Sequence, residues 1–140
     1  MGSDDLFKKK RERLKARKEG FREPKPNSFL IVTEGTKTEP LYFDGLATYI
    51  NNTYGKSIHT EKPLIVTQGE GKCTKSLVEA TEKCVARGTV FYSQVWVLFD
   101  KDDFTDFDEA ITLANRNGFH VSWSNPSFEL WLYLHFNYSD

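Results

Sequence analysis

Hydrophobic positions along the chain form four short runs, which are separated by stretches with helical spacing. The runs cover residues 29–33, 63–67, 95–99 and 120–124. The run 95–99 is continuous in apolar residues, and the run 29–33 is apolar up to its last residue, Thr33, which is typical of strands buried on both faces of a parallel sheet. The run 120–124 alternates apolar and polar residues and therefore indicates a strand nearer the sheet edge.

Helices are predicted between these strands. The first is expected from about residue 39 to 51, the second ends near 87, and the third ends at Asn117 and Gly118. The apolar side of the first helix is assigned to Leu41, Tyr42, Leu46, Tyr49 and Ile50. Thr36 with Glu39 resembles a capping box for the first helix, and Asp106 with Glu109 is expected to cap the third.

The order of these elements predicts the class of fold. Strands that alternate with helices indicate one α/β domain with a mostly parallel sheet, right-handed crossovers and helices on both faces. In such a sheet the ends of strands 29–33 and 95–99 open at the same edge. Side chains that follow these two strands are therefore expected to lie close together.

A last helix, predicted over residues 127–136, is apolar on nearly every side. Its apolar residues are Phe128, Leu130, Trp131, Leu132, Tyr133, Leu134 and Phe136. Such a helix has to be covered on several sides. We expect either a further C-terminal segment or a second copy of the chain, as in a homo-oligomer, to cover it.

Charge divides the chain into a basic arm and an acidic body. The net charge is −1, yet residues 8–25 hold ten of the nineteen Lys and Arg residues and three Glu, while residues 26–140 hold nine basic and fifteen acidic residues. Residues 1–27 are interpreted as a basic arm and linker, and residues 28–140 as the domain. The arm is either a solvated leader or a segment that neutralises nucleic-acid phosphates.

Length and composition exclude several classes of protein. With 140 residues the chain is expected to form one domain with its own core. It has no apolar run near the roughly 18 residues that a membrane span needs, so no membrane partner is expected and the cytoplasm is the default location. Cys73 and Cys84 are too few for a disulfide framework and are expected to remain thiols.

Acidic residues follow both of the buried strands. Glu34 comes directly after strand 29–33, and Asp100 and Asp102 come after strand 95–99. Asp100 and Asp102 are two residues apart, so in an extended chain their carboxylates project from one face. A hard divalent cation would offset their mutual repulsion. The alternative is a solvated acidic turn without chemistry.

Three motifs together resemble a known family. They are EGTKTEPLYF at 34–43, FDKDDF at 99–104 and SNPSFELWLYLHF at 124–136. A strand ending in Glu-Gly with a later strand ending in Asp-x-Asp is similar to the Toprim signature. The complete set resembles the RloB-like family, an abortive-infection-associated Toprim group often encoded beside restriction-modification genes. The resemblance implies a Toprim-like three-layer domain over 28–140, incomplete at its C-terminus.

The resemblance also implies a metal site. Asp100 and Asp102 match the metal-binding pair, and Glu34 matches the strand-end glutamate, which acts either as a ligand or as a general base. Asp103 is expected to orient a metal-bound water. The implied cofactor is Mg²⁺, or Mn²⁺ in its place.

Four further side chains have open roles. Lys37 and Lys101 are near enough in sequence to the acidic residues to contact phosphate, although either can be an ordinary surface lysine. Glu129 stands out because it lies in an otherwise apolar helix, where an ionised carboxylate rarely lies unpaired. His135 is expected to be packed or partly exposed.

Three functions are compatible with this interpretation. The first is a Mg²⁺-dependent nuclease that cleaves phosphodiesters in DNA or RNA during phage defence. The second is a module that binds nucleic acid or a partner without chemistry. The third is transfer of a nucleotide to a nucleic-acid or protein acceptor.

Overall fold

A computed structural model describes residues 24–54, 64–101 and 105–137 of the chain. The elements in chain order are β1 (Lys25–Thr33), α1 (Thr38–Tyr54), β2 (Leu64–Gly69), α2 (Thr74–Arg87), β3 (Tyr92–Asp100), α3 (Phe107–Arg116), β4 (His120–Ser124) and α4 (Phe128–Leu134). The predicted order of strands and helices is confirmed. Asp100 is the last residue of β3, so the third strand extends one residue beyond its predicted end.

The four strands form one parallel sheet in the order β2-β1-β3-β4. The predicted α/β fold with a parallel sheet is therefore confirmed, and β4 lies at an edge as its alternating pattern indicated. From β1 the chain moves outward to β2, then crosses to the opposite side of β1 to form β3. The direction of winding reverses between β1 and β3, which is where open α/β sheets bind their ligands.

The main hydrophobic core lies between the sheet and helices α2 and α3. Its buried members are Leu30, Val32, Leu77, Val78, Val95, Val97, Phe99, Ala110, Ala114 and Phe119. Alternate residues of β1 and β3 point to this side because successive side chains of a strand face opposite ways. Leu77, Val78 and Thr81 recur at helical spacing in α2 and therefore lie on one face of it, and all three are buried.

Helices α2 and α3 are also joined by polar contacts. The Asp106 Oδ2 atom accepts a hydrogen bond from the backbone N–H of Lys75 at 3.3 Å, and the Lys75 Nζ atom donates to Glu109 Oε2 at 2.8 Å. The hydrogen bond to Glu109, followed by its charge, raises the pKa of Lys75. The predicted cap is wrong, because Asp106 makes no side-chain cap bond to α3 and instead caps the first turn of α2.

Helix α1 lies on the other face of the sheet and covers only part of it. Its residues Tyr42, Phe43, Leu46 and Ile50 face the sheet across a cavity of about 1010 Å³ that α4 also lines. Leu41 is 72% exposed and Tyr49 is 63% exposed, so their assignment to the inner side is wrong. At about 100° per residue, Leu41 lies on the opposite side of α1 from the residues that line the cavity.

Of the apolar side chains of helix α4, only that of its first residue, Phe128, is buried. The Tyr42 hydroxyl contacts the His135 Nε2 atom at 3.3 Å, and the His135 Nδ1 atom lies 2.8 Å from the Trp131 carbonyl oxygen, which joins the end of α4 to α1. Glu129 is exposed, so its carboxylate lies in solvent rather than in an apolar environment. The covering segment or subunit remains a prediction.

The cysteines and the lengths of the helices can also be compared with the sequence-based expectations. Cys73 and Cys84 form no disulfide, as predicted. In the part of the chain that is described, no helix combines the length and the apolar character that crossing a membrane requires.

Two glycines provide a matched test of the helix assignments. A methyl group added at Gly45, within α1, would meet no atom within 4 Å. We expect Gly45→Ala to raise the free energy of unfolding by about 0.5–1 kcal/mol, because alanine loses less backbone entropy in a helix. Gly118 ends α3 with a φ of +72°. We expect Gly118→Ala to lower the unfolding free energy by about 1–2 kcal/mol. Urea denaturation measures both, and equal effects of the two changes would contradict these assignments.

Candidate acidic site at the carboxyl edge of the sheet

The backbone of Glu34 is fixed by the strands on both sides of β1. Its N–H donates to the Leu98 carbonyl at 3.0 Å, and its own carbonyl accepts from the Gly71 N–H at 3.0 Å. The neighbouring Thr33 carbonyl accepts from the Glu70 N–H at 3.0 Å. The end of β1 is therefore bonded to β3 on one side and to the loop after β2 on the other.

The side chain of Glu34 reaches the end of β3. Thr33 pairs with Leu98 in the parallel register, which places Glu34 beside the last residues of β3. The Glu34 Oε2 atom accepts a hydrogen bond from the backbone N–H of Asp100 at 3.2 Å. The prediction that these two acidic residues lie at one edge of the sheet is thus confirmed, although they are 66 positions apart in the sequence.

The Asp100 side chain lies on the α1 side of the sheet. It lines the large cavity together with Trp96 and Leu98, the alternate residues of β3, and with Glu39 from the first turn of α1. The site therefore forms one end of this cavity. Apart from Asp100 and Glu39 no charged residue lines it within the part of the chain described.

Glu39 has a role at this edge that the sequence did not reveal. Its Oε1 atom accepts a hydrogen bond from the Gly35 N–H at 3.1 Å, and Gly35 directly follows Glu34. The predicted capping box is wrong in detail, because α1 begins at Thr38 and Glu39 reaches back to Gly35 instead of pairing with Thr36. The only signal in the sequence was an acidic residue in the first helical turn after a glycine.

The end of β2 and the loop that follows it pack closely against the turn after β1. A methyl group at Gly69 would overlap the Gly35 carbonyl oxygen and would lie 2.7 Å from the Cα atom of Thr36. Gly71 has a φ of +61°, a conformation that favours glycine. Gly69 and Gly71 are thus required by the backbone geometry of this contact. Lys72 is exposed and pairs with Glu70 at 3.0 Å.

Only part of the predicted metal site lies among the described residues. Asp102 and Asp103 fall in the undescribed segment 102–104, so their predicted roles are untested. Within the described ranges, no group of three or more His, Cys, Asp or Glu residues could hold a metal ion. Glu34 and Asp100 are nevertheless the right kind of donor, because Mg²⁺ prefers carboxylate oxygens and fills other positions with water.

The two lysines occupy different surroundings. The Lys101 Nζ atom lies 5.7 Å from the ring centre of Phe107 and 5.4 Å from that of Trp123. Cation–π attraction to these rings holds the ammonium group beside α3 and β4. Lys37 is exposed in the turn before α1. Contact of either lysine with phosphate stays a prediction.

The fold and the site together define an α/β protein with acidic side chains at the point where the winding of a parallel sheet reverses. The model of the RloB-like protein family matches residues 29–140. The chain therefore belongs to the RloB-like family, as its motifs indicated. No curated protein and no solved structure gives a significant match.

The packing at Gly69 can be tested directly. We expect Gly69→Ala to lower the free energy of unfolding by about 1–3 kcal/mol, because the added methyl group overlaps backbone atoms that are held by hydrogen bonds on both sides. In NMR spectra the amide signals of Gly35 and Glu70 should shift. Gly45→Ala adds the same group away from the site and is the control. Unchanged stability and spectra in Gly69→Ala would show that the two turns are not in contact.

Proposed function

We propose that this protein is a Mg²⁺- or Mn²⁺-dependent nuclease that cleaves phosphodiester bonds in nucleic acid and acts in phage defence. Its membership of the RloB-like family supports the proposal. The acidic edge of the sheet supports it independently, since Glu34 and Asp100 end two adjacent parallel strands, and carboxylates at such a strand edge are suited to binding a divalent cation beside a ligand site.

One observation is central to this proposal. The Asp100 N–H donates to the Glu34 Oε2 atom at 3.2 Å, at the edge where β1 and β3 lie side by side. This hydrogen bond fixes the direction of the Glu34 side chain. Glu34 makes no second side-chain hydrogen bond with the described residues, so its Oε1 atom remains available to bind a cation or to accept a proton from water.

The residues that would hold the cation are Glu34 and Asp100, joined by Asp102 and Asp103. When bound there, a divalent cation would neutralise charge that develops on the phosphodiester oxygens and lower the pKa of an attacking water. Asp100 would present its carboxylate toward the cavity. Glu34 would either complete the ligand set or take the proton from the water.

Neutral variants of the two acidic residues test the proposal. We expect Glu34→Gln and Asp100→Asn each to reduce divalent-dependent cleavage of DNA or RNA by roughly 100-fold or more, because each removes a charge that the chemistry needs. Glutamine at position 34 can still accept the Asp100 N–H, so the fold should be retained. Cleavage of labelled single- and double-stranded substrates, with and without EDTA, measures the effect.

The control is Glu82→Gln, on the exposed side of α2. It should cleave at the wild-type rate, and all three variants should unfold at the same urea concentration as the wild type. Cleavage that persists in either site variant would exclude these residues from catalysis. Binding of nucleic acid without any cleavage by the wild type would favour a non-catalytic binding module, and label transferred from a nucleoside triphosphate would favour nucleotide transfer.

The basic arm supplies a separate prediction about nucleic-acid binding. Replacing Lys8, Lys9 and Lys10 with glutamine removes three of the ten basic residues in 8–25. If each lysine neutralises one phosphate, the slope of log affinity against log salt should fall by about 2–3, since each contact contributes about 0.7–0.9. Fluorescence anisotropy between low and physiological salt measures this slope. An unchanged slope would mean that the arm is only a solvated leader.

A further inference from the structure

The peptide unit between Glu34 and Gly35 is held at both of its polar groups. Its carbonyl oxygen, on Glu34, accepts from the Gly71 N–H at 3.0 Å, and its N–H, on Gly35, donates to Glu39 Oε1 at 3.1 Å. Because a peptide unit is planar, bonds on its two opposite sides fix its orientation. That orientation determines where the Glu34 side chain leaves the backbone.

Two neighbouring features support this contact. A methyl group at Gly35 would overlap the Glu39 carboxyl group in its present position, so glycine at this position leaves the space that the carboxylate occupies. The Thr33 hydroxyl donates to the Gly35 carbonyl at 2.8 Å and holds the next peptide unit of the turn. A hydrogen bond to an ionised acceptor is stronger than one to a neutral group.

We propose that Glu39 is a positioning residue, whose carboxylate holds the Gly35 amide and thereby directs Glu34 toward the end of β3. The chain of contacts runs from Glu39 Oε1 to the Gly35 N–H, through the fixed peptide unit to Glu34, and from Glu34 Oε2 to the Asp100 N–H. The consequence for activity depends on the proposed nuclease function. The consequence for the geometry of the edge does not.

NMR spectroscopy tests the geometry without any assumption about activity. In Glu39→Ala the Gly35 amide loses its acceptor, and we expect its signal and also the Asp100 amide signal to shift as Glu34 moves. Glu39→Gln keeps a side-chain oxygen as acceptor and should restore both signals toward their wild-type positions. Asp44→Ala, an exposed change on the same helix, is the control and should leave both signals in place. An Asp100 signal that stays fixed in Glu39→Ala would overturn the proposal, whether or not the protein cleaves nucleic acid.

Cleavage kinetics and Mn²⁺ binding then separate positioning from direct participation. We expect Glu39→Ala to reduce kcat by roughly 10- to 100-fold, as small displacements of catalytic groups do. Glu39→Gln should retain kcat within about 3-fold of the wild type and should bind Mn²⁺ as tightly. If the Glu39→Gln protein instead lost as much Mn²⁺ affinity as the Glu39→Ala protein, Glu39 would be a metal ligand. That result would contradict a positioning role.

A double-mutant cycle adds a test of the route through Glu34. If Glu39 acts only by directing Glu34, the change Glu39→Ala should have little further effect on cleavage in a Glu34→Gln background. Additive effects of the two changes would contradict this route. A wild-type protein that cleaves nothing would refute the nuclease proposal, whereas the shift of the Asp100 amide would still decide whether Glu39 positions Glu34.

Discussion

The parallel pairing of β1 with β3 is the constraint on which the candidate site depends. The two strands are not consecutive in the chain, and they become neighbours only because the chain crosses over after forming β2 at the outer edge. Their register places Thr33 opposite Leu98, so that the residues following both strands emerge together. The Glu34 carboxylate thereby reaches the backbone N–H of Asp100, 66 positions later in the sequence, without a loop having to bend toward it.

The acidic edge is held mainly by backbone groups. Glu34 and Gly35 together use both N–H groups and both carbonyl groups in hydrogen bonds, to β3, to the loop after β2, to Thr33 and to Glu39. A net contribution of about 1 kcal/mol each is typical for such bonds. The close approach of the end of β2 leaves no room for a side chain at Gly69. A turn fixed in this way keeps an acidic side chain in one direction at little cost when an ion or substrate arrives.

Much of the fold was predictable because it depends on short-range patterns. The continuous apolar runs predicted β1 and β3, the alternating HVSWS predicted the edge strand β4, and strand ends predicted the meeting of Glu34 with Asp100. The predicted hydrogen-bond partner was wrong where a side chain had two possible partners. Asp106 could cap its own helix, but the crossing of α2 and α3 brings the Lys75 amide to it. Such a choice depends on tertiary packing, which local sequence does not encode.

The candidate site also combines features that the sequence predicted with contacts that depend on tertiary packing. The types of residue and the strand ends identified the acidic edge, but nothing in the sequence indicated that Lys101 would lie over Phe107 and Trp123. The link from Glu39 to Gly35 was equally hidden, because a glutamate in a first helical turn ordinarily has a role in capping.

Crystals soaked in Mn²⁺ would test the central claim most directly. The account predicts an anomalous density peak at the carboxyl edge of β1 and β3, within coordination distance of carboxylate oxygens of both Glu34 and Asp100. The central claim would be contradicted if the Glu34 and Asp100 carboxylates pointed apart and no cation lay between them, in crystals that bind Mn²⁺ elsewhere.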